Sequence, residues 1–232
     1  SEAAIVLNTP FALIRTIGKT TFEEPHYFDP AALDTIYSPL HLPDSSARMM
    51  DPAPNVVVLI IESLASEYVG FYNPQRPSET PFLDSLIGQS LTFSESFANG
   101  RKSIDAMPSI LSSIPMFVEP FFVTSYSLND VSGIAGELSK AGYATAFFHG
   151  AENGSMGFQA FARTSGFSRY YGRTEFCADP RFDGDKSFDG TWAIWDEEFL
   201  QFYAAQMNDL PDSIKDIVKG GELVFEMCSM EN

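Results

Sequence analysis

Three positions carry side chains whose types suit a reactive centre. Glu62 follows six consecutive aliphatic residues, Val56–Ile61. Ser103 sits in "FANGRKSIDAMPSILSSIP" (Phe97–Pro115), directly after Arg101 and Lys102. His149 closes "YATAFFH". Each has a plain reading beside the chemical one. A carboxylate after an apolar strand is costly to bury unless it is paired or binds a metal; otherwise Glu62 caps the next turn. Ser103 is either an N-cap or a nucleophile. As a nucleophile it gains from the helix N-terminus and from the two cations, which stabilise anionic oxygens. A serine hydroxyl needs activation, and no His or Lys stands at an obvious triad spacing, so a metal ion is the expected activator. His149 is a substrate contact or a hydrogen-bonded strand-end histidine. The "ENGSMGF" after it reads as a flexible polar loop suited to binding. Asp183, Asp185 and Asp189 cluster in "FDGDKSFDGTWAIWDEEF", which lacks the twelve-residue Ca²⁺ loop pattern. That stretch is expected to be a surface loop, with Asp196 or the residue before it as a helix cap.

The elements that must position these side chains follow from periodicity. "NVVVLII" predicts a parallel strand buried on both faces. "SETPFLDSLIGQS" predicts a helix with Thr80 as N-cap and Pro81 at its first position. "LTFSESFA", near Leu91–Ala98, alternates like a strand. Helices are predicted over Ser103–Ser113, limited by Pro108, and over "NDVSGIAGELSKAGY", ended by Gly142. A strand at "YATAFFH" comes next, then helices over Ser155–Ser165 and Trp195–Asn208. Alternating strands and helices define an α/β class with a mostly parallel central sheet flanked by helices. Ligands in such sheets bind beyond the carboxyl ends of the strands, where Glu62, Ser103 and His149 all fall. Residues 1–54 are expected to be a linking arm, with a helix near Pro10–Gly18. Residues 55–210 form the α/β domain, and 211–232 a divergent tail.

The bulk numbers bound the function. With 232 residues, 44% hydrophobic and 14% aromatic, the chain buries a sizeable core. A net charge of −17 argues against nucleic acid and against a polybasic membrane patch. It leaves room for an anionic substrate, because a metal and a few local cations override the global field. Cys177 and Cys228 are two free thiols or one disulfide; their spacing leaves both open. The longest aliphatic run, Val56–Ile61, is far short of the roughly 20 residues of a membrane span.

"NVVVLIIESLASEYVGFYN", "TPFLDSL", "FANGRKSIDAMPSILSSIP", "GYATAFFHG" and "DGTWAIWDEEF" occur in this order. As an ordered set they resemble the lipoteichoic acid synthase-like branch of the sulfatase/alkaline phosphatase superfamily. The resemblance implies a sulfatase-like fold and a divalent metal ion (Mn²⁺, Mg²⁺ or Zn²⁺). It implies Glu62 as a metal ligand and Ser103, after its "GRK" turn, as both ligand and nucleophile toward a phosphate ester. Arg101, Lys102 and His149 are the substrate-side candidates among the residues themselves. "LNTPFALIRTIGK" looks like the linker that follows membrane helices in such proteins. A catalytic part outside the cytoplasmic membrane, anchored in the full-length protein, is the expectation.

Two departures from the family pattern stand out. No Asp-His dipeptide exists in the sequence to complete the metal site, and after Leu210 the family likeness ends, as in a truncated or divergent form. The segment after "FHG" carries neither the Trp nor the Arg that holds substrate phosphate in the family's glycerol-phosphate polymerases. A sulfatase fits less well, since Ser103-Ile-Asp-Ala-Met lacks the Pro and Arg of the usual sulfatase pattern. An inactive fragment acting as a binding module is the non-enzymatic alternative.

Overall fold

The computed structural model describes residues 26–38, 55–93, 96–116, 119–124 and 126–209, and the backbone of 222–228. The chain divides into two units, Ser1–Met49 and Met50–Asn232. Within the first, helix α1 spans Pro30–Ile36. Asp29 caps it, accepting the Ala31 N–H at 2.9 Å, and Pro30 opens it. The helix expected near Pro10–Gly18 lies outside the described residues.

In the second unit the described elements run β1 (Val56–Ile61), α2 (Pro81–Ile87), α3 (Ser103–Ser112), α4 (Ile134–Lys140), β2 (Ala144–His149), α5 (Phe158–Thr164), β3 (Arg169–Tyr171), α6 (Arg173–Ala178), α7 (Asp196–Asn208) and β4 (Glu222–Cys228). The strands form one sheet in the order β1-β4-β2-β3. Every pair in it is parallel, as the alternation of strands and helices predicts. Strand β4, from the segment read as a tail, occupies a central place between β1 and β2. Ile61 pairs with Cys228 and His149 with Met227, so β1 and β2 end nearly level on either side of β4. That brings Glu62 and His149 to one edge of the sheet, a placement the strand-end rule anticipates.

Side chains alternate across β2 and seed two cores. Phe147 joins Met107, Leu111, Ala135, Phe158 and Phe161 on one side of the sheet. Ala146 and Phe148 join Phe176, Ile194, Phe199 and Phe202 in a second cluster. Helix α3 is held by a stripe at i, i+3, i+4 and i+7. Met107, Pro108 and Leu111 are buried, and Ile104 packs against the same cluster. Fully burying a side chain such as Met107 or Leu111 is worth about 1.5–3 kcal/mol, so the helix that carries Ser103 is firmly seated. Pro108 sits inside α3 without ending it. Ser113 closes the helix in the left-handed conformation at φ 55°.

The structure departs from the sequence reading in several places. Strand β1 is buried on one face only: Val56, Val58 and Ile60 pack on the first core, while Val57 and Leu59 are 55% and 50% exposed. Its aliphatic run reflects a parallel strand, but β1 lies at the edge of the described sheet. The described parts of Leu91–Ala98 form no strand, and Leu91, Phe93 and Phe97 are exposed. Alternation there has no ladder partner among the described residues to satisfy its backbone groups. Strand β3 and helix α6 were not foreseen. Helix α7 is capped by Trp195, with no side-chain cap bond; Asp196 is its first residue, favoured there by the helix dipole instead.

Candidate active site

Glu62 stands in the turn that ends β1. Ser63, the next residue, adopts a left-handed conformation at φ 59°, which is uncommon for a side chain other than glycine. The chain thus breaks sharply from the strand at the carboxylate. On the other side of the site, α3 begins at Ser103, its cap residue being Lys102. The N-cap reading of Ser103 is therefore corrected: it is the first helical residue, and its hydroxyl is free of the capping duty. That hydroxyl instead donates to Glu62 Oε1 at 2.7 Å. Residues 41 apart in sequence meet in one charge-assisted hydrogen bond. Both are half-buried.

Capping is done instead by a residue outside the candidates named from the sequence. Asp105, only 2% exposed, accepts the backbone N–H of Arg101 at 3.3 Å and of Lys102 at 3.2 Å through Oδ2. The signal was present in the spacing, since an acceptor three residues after the cap is the reciprocal half of a capping box. Gly100 makes room for it. A Cβ added at Gly100 falls 2.6 Å from Asp105 Oδ2 and 2.8 Å from its Cγ. We expect Gly100→Ala to cost about 1–3 kcal/mol by overpacking, read as a lower midpoint in urea unfolding. An unchanged midpoint would mean that the turn relaxes without cost.

The side chains of Arg101 and Lys102 are exposed, and neither forms an ion pair among the described residues. They precede Ser103 in the chain as exposed cations. His149 is placed differently. It is 1% exposed, its ring meets Phe158 edge-on at 4.7 Å, and neither ring nitrogen has a hydrogen-bond partner among the described residues. The hydrogen-bonded strand-end reading is thus not what the fold shows. Burial pushes His149 down to about 4. The neutral ring is favoured when folded, whereas the unfolded chain takes up a proton near pH 6.5. Stability therefore falls as pH drops from about 6.5 toward about 4, at up to roughly 1.4 kcal/mol per unit. We expect His149→Phe to flatten that slope, measured as urea unfolding at pH 7.5 and pH 5; an unaltered slope would remove His149 as its source.

The loop after His149 is pinned rather than loose. Asn153 donates to Glu175 Oε2 at 2.9 Å and accepts the Thr174 N–H at 3.1 Å, while Glu175 caps α6 through the Gly172 N–H at 2.7 Å. The aspartate-rich stretch serves the loop itself. Asp189 Oδ1 accepts the N–H groups of Thr191, Trp192 and Ala193, and Asp185 pairs with Arg173 at 2.9 Å. Cys177 is a free thiol.

A divalent metal would meet Glu62 Oε1 and Ser103 Oγ as a pair of oxygens. Their approach to 2.7 Å suits a hard cation in donor type. Among the described residues no group of three or more His, Cys, Asp or Glu side chains is arranged to hold a metal ion. The donor pair fits a hard cation in kind, with no third carboxylate, His or Cys grouped with it among the described residues.

The profile of the Sulfatase family matches residues 54–215, more than half of the chain. The chain belongs to the sulfatase family. Two solved structures share its fold. One is a protein in the alkaline phosphatase superfamily from Vibrio parahaemolyticus, 24% identical, with a TM-score of 0.56 over 76% of this chain and 40% of that one. The other is the lipoteichoic acid synthase LtaP from Listeria monocytogenes, 21% identical, with a TM-score of 0.62 over 81% of this chain and 43% of that one. This chain thus spans less than half the length of either. No curated protein matches the sequence. The expected superfamily and α/β fold are borne out.

Proposed function

We propose that this chain carries the nucleophile of a metal-dependent phosphotransferase or hydrolase acting on phosphate esters of lipid or envelope polymer precursors. The observation that carries the reading is the 2.7 Å hydrogen bond between Ser103 Oγ and Glu62 Oε1, within a family-matched stretch. Glu62 fixes the rotamer of Ser103 and draws its proton away from Oγ. Oγ then bonds to the phosphorus of an anionic ester while the bond from phosphorus to the ester oxygen breaks. Water or an acceptor alcohol attacks that phosphorus next and returns Oγ. Arg101, Lys102 and the α3 N-terminus bear on the equatorial oxygens. A bound Mn²⁺, Mg²⁺ or Zn²⁺, held by Glu62 and Ser103, would supply Lewis-acid charge stabilisation. His149 is a substrate-side residue in this reading only through motion that exposes its ring.

The location proposed is outside the cytoplasmic membrane, anchored in the full-length protein, from the likeness of "LNTPFALIRTIGK" to a linker that follows membrane helices. No helix among the described residues is long and apolar enough to cross a membrane. The test is turnover of aryl phosphate and aryl sulfate esters with each metal. Phosphate turnover supports the proposal, and a preference for sulfate would make the chain a sulfatase-type hydrolase. A second reading, a binding module without turnover, is favoured by the lack of an Asp-His dipeptide in the sequence to complete a metal site. Its signature is a melting temperature indifferent to all three metals.

A further inference from the structure

We propose that Asp105 is a positioning residue for Ser103, holding the basic turn in place and setting which backbone amides face the substrate. The inference rests on the functional reading above and deepens it. Three observations converge. Asp105 Oδ2 takes the N–H groups of both Arg101 and Lys102. The turn closes so tightly on the carboxylate that only glycine fits at position 100. The second oxygen, Oδ1, is buried without a partner among the described residues.

That last feature separates Asp105 from an ordinary cap. A buried acceptor left unpaired is costly, and an exposed Ser, Thr or Asn at the cap position would satisfy the helix end without it. What the buried carboxylate adds is an acceptor oxygen fixed two residues beyond Ser103, on the inner side of the turn that carries two exposed cations. It holds the two outer amides, so they are withdrawn from any anion. The N–H groups of Ser103 and Ile104, at the first two positions of α3, have no acceptor within the helix. They are the amides left for the ester's oxygens. Asp105 thereby keeps Ser103 Oγ against Glu62 and aligns the remaining donors with the same centre.

The experiment compares the wild-type chain with Asp105→Ala and Asp105→Asn, each first shown to unfold cooperatively. Three readouts are taken: amide hydrogen exchange at Arg101 and Lys102, Mn²⁺ affinity, and kcat and KM for an aryl phosphate. Asp105→Ala is expected to speed exchange at both amides, weaken Mn²⁺ at least threefold and lower kcat at least tenfold, with KM within about twofold. Asp105→Asn, which keeps an acceptor oxygen, is expected to restore slow exchange and most of kcat. Faster exchange with unchanged kcat and Mn²⁺ affinity would overturn the inference and leave Asp105 a helix cap. Should Asp105→Ala fail to unfold cooperatively, Asp105→Asn decides: a kcat at the wild-type level, with slow exchange, supports positioning by the acceptor oxygen. A kcat lost despite slow exchange overturns it. A wild-type chain that neither binds Mn²⁺ nor turns over the ester defeats the functional reading itself, and the positioning role falls with it.

Discussion

Ser103→Ala is expected to abolish ester turnover, lowering kcat by at least about 10³-fold, while the fold survives. The size follows from the role: no second hydroxyl stands in hydrogen-bond contact with Glu62 among the described residues, so nothing replaces the reacting atom. The structural cost is small by comparison. Ser103 is half-buried at the first position of α3, where alanine is tolerated, and the seat of the helix lies in Met107 and Leu111. Loss of one hydrogen bond to a carboxylate still open to solvent costs on the order of 1 kcal/mol. Initial rates and a urea melt on the same sample separate the effects. Equal rates in the variant and the wild type would mean that turnover arises elsewhere.

Glu62→Ala carries the second large effect, on metal binding. A divalent ion at a hundredfold excess over its Kd stabilises the folded state by about 2.7 kcal/mol, roughly 5–10 °C in Tm for a domain of this size. Removing the only charged donor of the oxygen pair is expected to erase that shift. The measurement is Tm with and without Mn²⁺, for the wild type and for the variant. A shift of the same size in both would place the ion elsewhere on the chain. Given the net charge of −17, such diffuse binding is the rival to exclude, and it weakens steeply with added salt, whereas a built site does not.

Much of this arrangement is legible in the residues. The aliphatic run before Glu62 and the apolar "ATAFFH" mark β1 and β2, because strands of a parallel sheet favour such runs. The rule that ligands gather at strand ends then places Glu62 and His149 at one edge of the sheet, whereas Ser103 owes its place to the start of α3 and not to a strand at Leu91–Ala98. What the residues do not reveal depends on partners distant in sequence. The pattern at Leu91–Ala98 has strand periodicity but no ladder, and β4 comes from a segment without family likeness. Capping-box spacing marks Asp105 in the sequence, whereas the closure of Gly100 on it depends on the path of the turn in space. The burial of His149 was readable from alternation, since Thr145, Phe147 and His149 share one face of β2 and Phe147 is in the core.

The central claim is that Ser103 Oγ bonds covalently to the ester's phosphorus. It is tested most directly by mixing the Mn²⁺-loaded chain with an activated aryl phosphate, quenching in acid and mapping peptides by mass spectrometry. The account predicts one added phosphoryl group on the peptide containing Ser103, absent in Ser103→Ala. A phosphoryl group on another residue, or turnover with no adduct on that peptide at any quench time, would contradict it.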